Sequence, residues 1–142
     1  MPSFASAPPR ALSPSDAPFG RQSWQASGGE RIPVLIFDEP GELARQAARR
    51  VRTLIEARHA AGDTAVLGLP TGSTPIGVYQ ELVRMHREEG LDFSNVVTFN
   101  IDEYVPMKPD SLQSYHRFMR ENFFDHVNVP AENVHIPRGD LP

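Results

Sequence analysis

The feature that most constrains this chain is an alternation of short apolar runs with longer segments of helical period. Residues 32–37 (IPVLIF), 64–69 (TAVLGL) and 96–101 (VVTFNI) have the length and composition of buried strands. Between the first two, Leu43, Ala47, Val51, Leu54 and Ile55 fall at i, i+4, i+8, i+11 and i+12, the apolar face of a helix over residues 40–59. A second helix follows Thr74 and Pro75, which read as an N-cap and a first helical residue. It carries Tyr79, Leu82, Val83 and His86 on one side and ends at Gly90. A third carries Tyr115, Phe118, Met119 and Phe123, and residues 134–136 begin a fourth strand.

The order β-α-β-α-β-α-β implies an α/β fold with a parallel sheet covered by helices. Consecutive parallel strands open their C-terminal ends on one edge of the sheet, and ligands of open α/β sheets bind at that edge. Residues 31–142 supply only three or four strands, few for a sheet sandwiched between helices. The expectation is therefore the N-terminal portion of a longer fold. Residues 1–30 are different in kind. They hold Pro2, Pro8, Pro9, Pro14 and Pro18, many serines and no apolar period, and read as a disordered tail. They contain no apolar segment of the kind a secretion signal needs, and Asp16 and the prolines weigh against a transit peptide.

Composition narrows the chemistry. The chain has no cysteine, which removes disulfides, thiolate metal sites and cysteine nucleophiles and fits a cytoplasmic location. Its net charge of −4 argues against general nucleic-acid binding. No apolar run reaches the roughly 18 residues of a membrane helix. The five histidines lack metal-ligand spacing and read as structural or surface residues.

Two segments at the expected sheet edge can carry chemistry. Thr71, Gly72, Ser73 and Thr74 lie between a strand and a helix. Gly72 permits a tight turn, the hydroxyls add donors, and the helix start supplies free N–H groups and a positive dipole end, a combination suited to phosphate. The same residues also suit an ordinary capped turn. The loop is neither a Walker A motif nor a dinucleotide fingerprint. Asp102, Glu103 and Tyr104 follow the third strand. Adjacent strand residues point oppositely, so at most one carboxylate faces the crevice. With Ile101 assigned to the core, Asp102 at the rim is the candidate general base, or else a turn carboxylate bonded to backbone N–H groups.

Residues 66–105, with LPTGSTP followed by TFNIDEY, and residues 114–142 closely resemble glucosamine-6-phosphate deaminase. The resemblance implies a Rossmann-like three-layer α/β sandwich, no metal and no cofactor. It implies conversion of glucosamine 6-phosphate and water to fructose 6-phosphate and ammonia. By that resemblance Thr71, Gly72, Ser73 and Thr74 hold the sugar phosphate. Asp102 is the enolising base, with Glu103 and Tyr104 in support. The family's ring-opening histidine, its acidic partners and further phosphate-binding basic residues correspond to positions beyond residue 142. The implied partner is a small sugar phosphate, with no nucleic acid and no membrane, and a homo-oligomer is allowed. The alternatives are a 6-phosphogluconolactonase-like hydrolase, which resembles DER where this chain has Asp102-Glu103-Tyr104, and a non-catalytic sugar-phosphate-sensing module.

Overall fold

The computed structural model describes residues 36–141. The chain divides between Ile36 and Phe37, and the account below concerns the second unit. The expected tail over residues 1–30, and most of the expected strand over residues 32–37, lie outside the described residues. Ile36 and Phe37 have no regular structure. The elements are α1 (Pro40–Ala60), β1 (Ala65–Gly68), α2 (Ile76–Glu89), β2 (Val96–Phe99), α3 (Tyr115–Asn122) and β3 (Val134–His135), with 3-10 turns at Phe124–His126 and Ala131–Asn133.

Each helix starts and stops for a local reason. Pro40 opens α1, where a missing N–H costs nothing, with Glu42 in its first turn and Arg58 and His59 in its last, matching the dipole. Gly90 ends α2 at φ 73°, a left-handed conformation that glycine adopts freely, and the Leu91 N–H reaches back to the Met85 carbonyl at 3.1 Å. Ser114 caps α3 by accepting the His116 N–H at 3.1 Å.

The sheet has the order β1-β2-β3 and is parallel throughout. Ala65 pairs with Val96 and Gly68 with Phe99; Thr98 pairs with Val134. β2 is the middle strand. Parallel pairing of the second and third expected strands agrees with the alternation in the sequence, and so does the short fourth strand.

Burial alternates along the strands. Ala65, Leu67 and Leu69 are buried, as are Val96, Thr98 and Asn100. Ala65, Leu67, Leu69 and Val96 meet Ile55 of α1, Tyr79, Leu82 and Met85 of α2, and Met119 and Phe123 in one core. Phe123 is its hinge point, with ring centroids 5.2 Å from Tyr79 and 5.6 Å from Phe93. The residues of opposite parity face outward: Val66 is 60% exposed, Phe99 48% and Ile101 83%. Among the described residues, helices cover one face of the sheet.

Two expectations about the core need correction. Ile101 is not a core residue, because β2 ends at Phe99 and position 101 has the parity of the open face. The buried side of α1 is also rotated. Ala48 and Ile55 are buried, whereas Leu43 and Leu54 are exposed. Small residues set this contact: a Cβ on Gly77 of α2 would sit 3.2 Å from the Ala44 Cβ, so the two helices pass closer than leucines would allow.

Candidate active site

The turn from β1 into α2 supplies a cluster of donors. Gly72 has φ 99°, which explains a glycine here by backbone conformation alone, since a Cβ would meet nothing within 4 Å. Thr74 does not cap the helix, contrary to the sequence expectation. α2 begins at Ile76, and Pro75, at φ −79° and ψ −8°, stands in the cap position. A turn comes first, closed by the Ile76 N–H on the Ser73 carbonyl at 3.4 Å, and the Pro75 carbonyl takes the Val78 and Tyr79 N–H groups at 2.9 and 3.0 Å. Ser73 and Thr74 are exposed, and their hydroxyls make no hydrogen bond to any described residue. No backbone acceptor among the described residues meets the amides of Gly72, Ser73 or Thr74. The loop's root is held by the Tyr79 hydroxyl, which donates to the Pro70 carbonyl. Burial pushes the Tyr79 phenol well above its ordinary pKa, so it remains a donor.

The second loop leaves the neighbouring strand at the same edge. Asn100 is its buried root, 7% exposed. Its side-chain N–H donates to the Leu69 carbonyl at 2.7 Å, and its backbone N–H donates to the His135 carbonyl at 2.9 Å. One residue thus joins the C-terminal ends of all three strands. Ile101 and Asp102 are exposed, and Asp102 makes no hydrogen bond to any described residue.

Glu103 has a different fate. Its carboxylate accepts N–H groups from Tyr115 at 2.9 Å, His116 at 3.2 Å and Tyr104 at 2.9 Å, and the Ser114 hydroxyl at 2.8 Å. Burial alone would raise its pKa. The bonds from Tyr115, Ser114, Tyr104 and His116 outweigh burial and hold the carboxyl below the usual range. Glu103 is committed to the N-terminus of α3, which leaves Asp102 as the carboxylate of this pair with unused lone pairs. The Tyr115 hydroxyl donates to that of Tyr104 at 3.1 Å, and the two rings lie 4.9 Å apart.

A third contact was not legible in the sequence. The Met107 N–H donates to the Gly139 carbonyl at 2.8 Å, just past the cis Val105–Pro106 bond. A Cβ on Gly139 would lie 2.1 Å from the Tyr104 carbonyl oxygen. The backbone at Gly139 therefore seats the loop after Asp102, and only glycine fits. Sequence gave no sign beyond a Gly-Asp pair of the sort common in turns.

Beside these loops lies an open cleft of about 390 Å³ lined by Phe99, Asn100, His116 and residues 134–137. His116, expected to be merely structural, forms part of its wall and donates from Nε2 to the Pro137 carbonyl at 3.1 Å. Neither Thr71, Gly72, Ser73, Thr74 nor Asp102 lines this cleft. The structure brings the two candidate segments to one edge through adjacent strands, and Asn100 is the bridge between their roots. Among the described residues, no three His, Asp or Glu side chains gather as a metal-binding group.

The chain has counterparts among known proteins. The sequence profile of the family described as glucosamine-6-phosphate isomerases/6-phosphogluconolactonase matches residues 38–141. A glucosamine-6-phosphate deaminase of Thermoanaerobacter sp. (strain X514) is 50% identical over 108 residues, 76% of this chain and 41% of that protein. A solved structure of a monomeric glucosamine-6-phosphate deaminase superposes with a TM-score of 0.69 at 38% identity, covering 74% of this chain and 42% of that one. A 6-phosphogluconolactonase structure from Thermotoga maritima gives a TM-score of 0.62 at 28% identity, covering 77% of this chain and 46% of that one. The chain spans about two fifths of the length of the curated relatives it matches. On this evidence the chain belongs to the glucosamine-6-phosphate isomerase/6-phosphogluconolactonase family.

Proposed function

We propose that this chain provides the phosphate-holding and enolising part of a glucosamine-6-phosphate deaminase. The observation that carries the reading is the division of labour between two adjacent carboxylates. Glu103 is bound to the start of α3, and Asp102 stands free in the loop after β2, the strand paired with the one that leads into the donor-rich loop. The deaminase named among the relatives at 50% identity supports the choice of substrate.

In this reading Gly72, Ser73 and Thr74 offer N–H and hydroxyl donors to the 6-phosphate, with Thr71 at the loop's base. The dipole of α2 adds positive potential. In the open-chain sugar the C2 proton is α to the C1 aldehyde and therefore acidic. Asp102 removes it, giving an enolamine, and returns the proton to C1. The resulting C2 imine adds water and expels ammonia, leaving the C2 ketone of fructose 6-phosphate. Atoms balance with water as the sole co-substrate. A phosphorylated sugar does not cross membranes unaided, and the reading places the protein in the cytoplasm with it.

The experiment is exchange of the C2 hydrogen of glucosamine 6-phosphate in deuterated water, followed by NMR alongside ammonia release. Asp102→Asn preserves shape and removes the base, so exchange should fall by at least about 10²-fold. Undiminished exchange in that variant rejects Asp102. Hydrolysis of 6-phosphogluconolactone without turnover of the amino sugar transfers the reading to the lactonase branch of the family.

A further inference from the structure

We propose that Glu103 is a positioning residue that sets the carboxylate of Asp102, acting through the backbone between them. The proposal rests on the reading of Asp102 as the base. Asp102 sits in a two-residue arch, Ile101–Asp102, that is exposed along its whole length. The foot before it is Asn100, fixed by bonds to the Leu69 and His135 carbonyls. The foot after it is Glu103, whose carboxylate is held by four donor groups, three of them at the start of α3. Two residues strung between immobile ends have few backbone conformations open to them, and a reacting group so held starts close to its working geometry.

α3 does not rest on these bonds alone. That helix has its own cap in Ser114, and Met119 and the following Phe123 anchor it in the core. The Glu103 carboxylate takes the Tyr115 N–H that Ser114 does not, and the same bonds tie the loop to the helix start. Its chemistry is also specific. A carboxylate accepts at both oxygens, and here Oε1 takes the Tyr104 and Tyr115 N–H groups while Oε2 takes the Tyr115 and His116 N–H groups and the Ser114 hydroxyl. The amide of glutamine would turn a donor toward one of these donor sets.

The test uses the 142-residue chain with Glu103→Gln. Backbone ¹⁵N relaxation should show Ile101 and Asp102 passing from rigid, at an order parameter of about 0.85, to below about 0.6. The α3 amides should keep their helical shifts and protection. Where C2 exchange is followed, the rate at saturating glucosamine 6-phosphate should fall about tenfold, as for a displaced catalytic group, with the half-saturating concentration within about twofold. A rigid arch in Glu103→Gln overturns the proposal. So does simultaneous melting of the arch and α3, which makes Glu103 a helix cap and no more. If Glu103→Gln does not fold, Glu103→Asp puts the same question, because it keeps the charge but withdraws the carboxylate by one methylene. Exchange in Asp102→Asn separates the two ideas. Full activity there rejects the base, whereas the order parameters judge Glu103 alone.

Discussion

The side-chain amide of Asn100 and the carbonyl of Leu69, 2.7 Å apart, join the roots of the two loops on which the proposed chemistry depends. The bond is buried, and the Asn100 Oδ1 beside it has no partner among the described residues. Asn100→Leu leaves the Leu69 carbonyl unpaired and should destabilise the fold by about 1–3 kcal/mol, read from denaturant midpoints. Stability equal to the parent would mean that the bond is not what holds the loops together.

Gly139→Ala tests the seat of the second loop. The added Cβ meets the Tyr104 carbonyl at 2.1 Å and the Met107 Cβ at 2.9 Å, and the nearer atom is backbone. The loop must move, at a cost of roughly 1–3 kcal/mol by analogy with overpacked cores. Hydrogen exchange at the Met107 amide should speed up along with the loss of stability, and an unaltered Met107 amide would show that the seat tolerates a methyl group.

Gly72→Val separates two reasons for a glycine. Space is open around this position, but φ 99° is a conformation that valine resists. The loop should rearrange while the core stays intact. Binding of glucosamine 6-phosphate, followed by its ³¹P shift, should weaken by about tenfold or more if the loop N–H groups hold the phosphate, about 1.4 kcal/mol of binding free energy. Equal affinity in a folded variant removes the loop from the site.

Acid should loosen the arch by titrating Glu103. Its folded pKa lies below the unfolded value of about 4.3. The stabilisation it contributes is therefore complete above that unfolded value and is lost as pH falls through the lower, folded one. Protection of the Tyr115 and His116 amides should decline in that acidic window. In Glu103→Gln this part of the acid dependence should disappear, and its persistence would assign the effect to another carboxylate.

The alternation of apolar runs and helical periods made the order of elements from α1 onward and the parallel sheet legible, because both follow from local pattern. Boundaries and faces were less so. VVTFNI reads as one buried run, yet strand parity puts Asn100 inside and Ile101 outside. The apolar stripe of α1 pointed to Leu43 and Leu54, while the close approach of Ala44 and Gly77 turned the helix toward its smaller residues. Thr74 carried the chemistry of a cap but lost the place to a turn at Ser73–Ile76. The α3 partners of Glu103 lie 11–13 positions away and those of Gly139 32–36, and no local pattern encodes such contacts.

β2 is the middle strand, and its two pairings reach back to β1 and forward to β3 across long stretches of chain. Neither pairing can form early by local zippering, so the edge that bears Asn100 and Asp102 assembles when the sheet closes. The Asn100 N–H, bonded to the His135 carbonyl, should then exchange with solvent only when the sheet opens as a unit. Its exchange rate is a gauge of how often the whole edge comes apart.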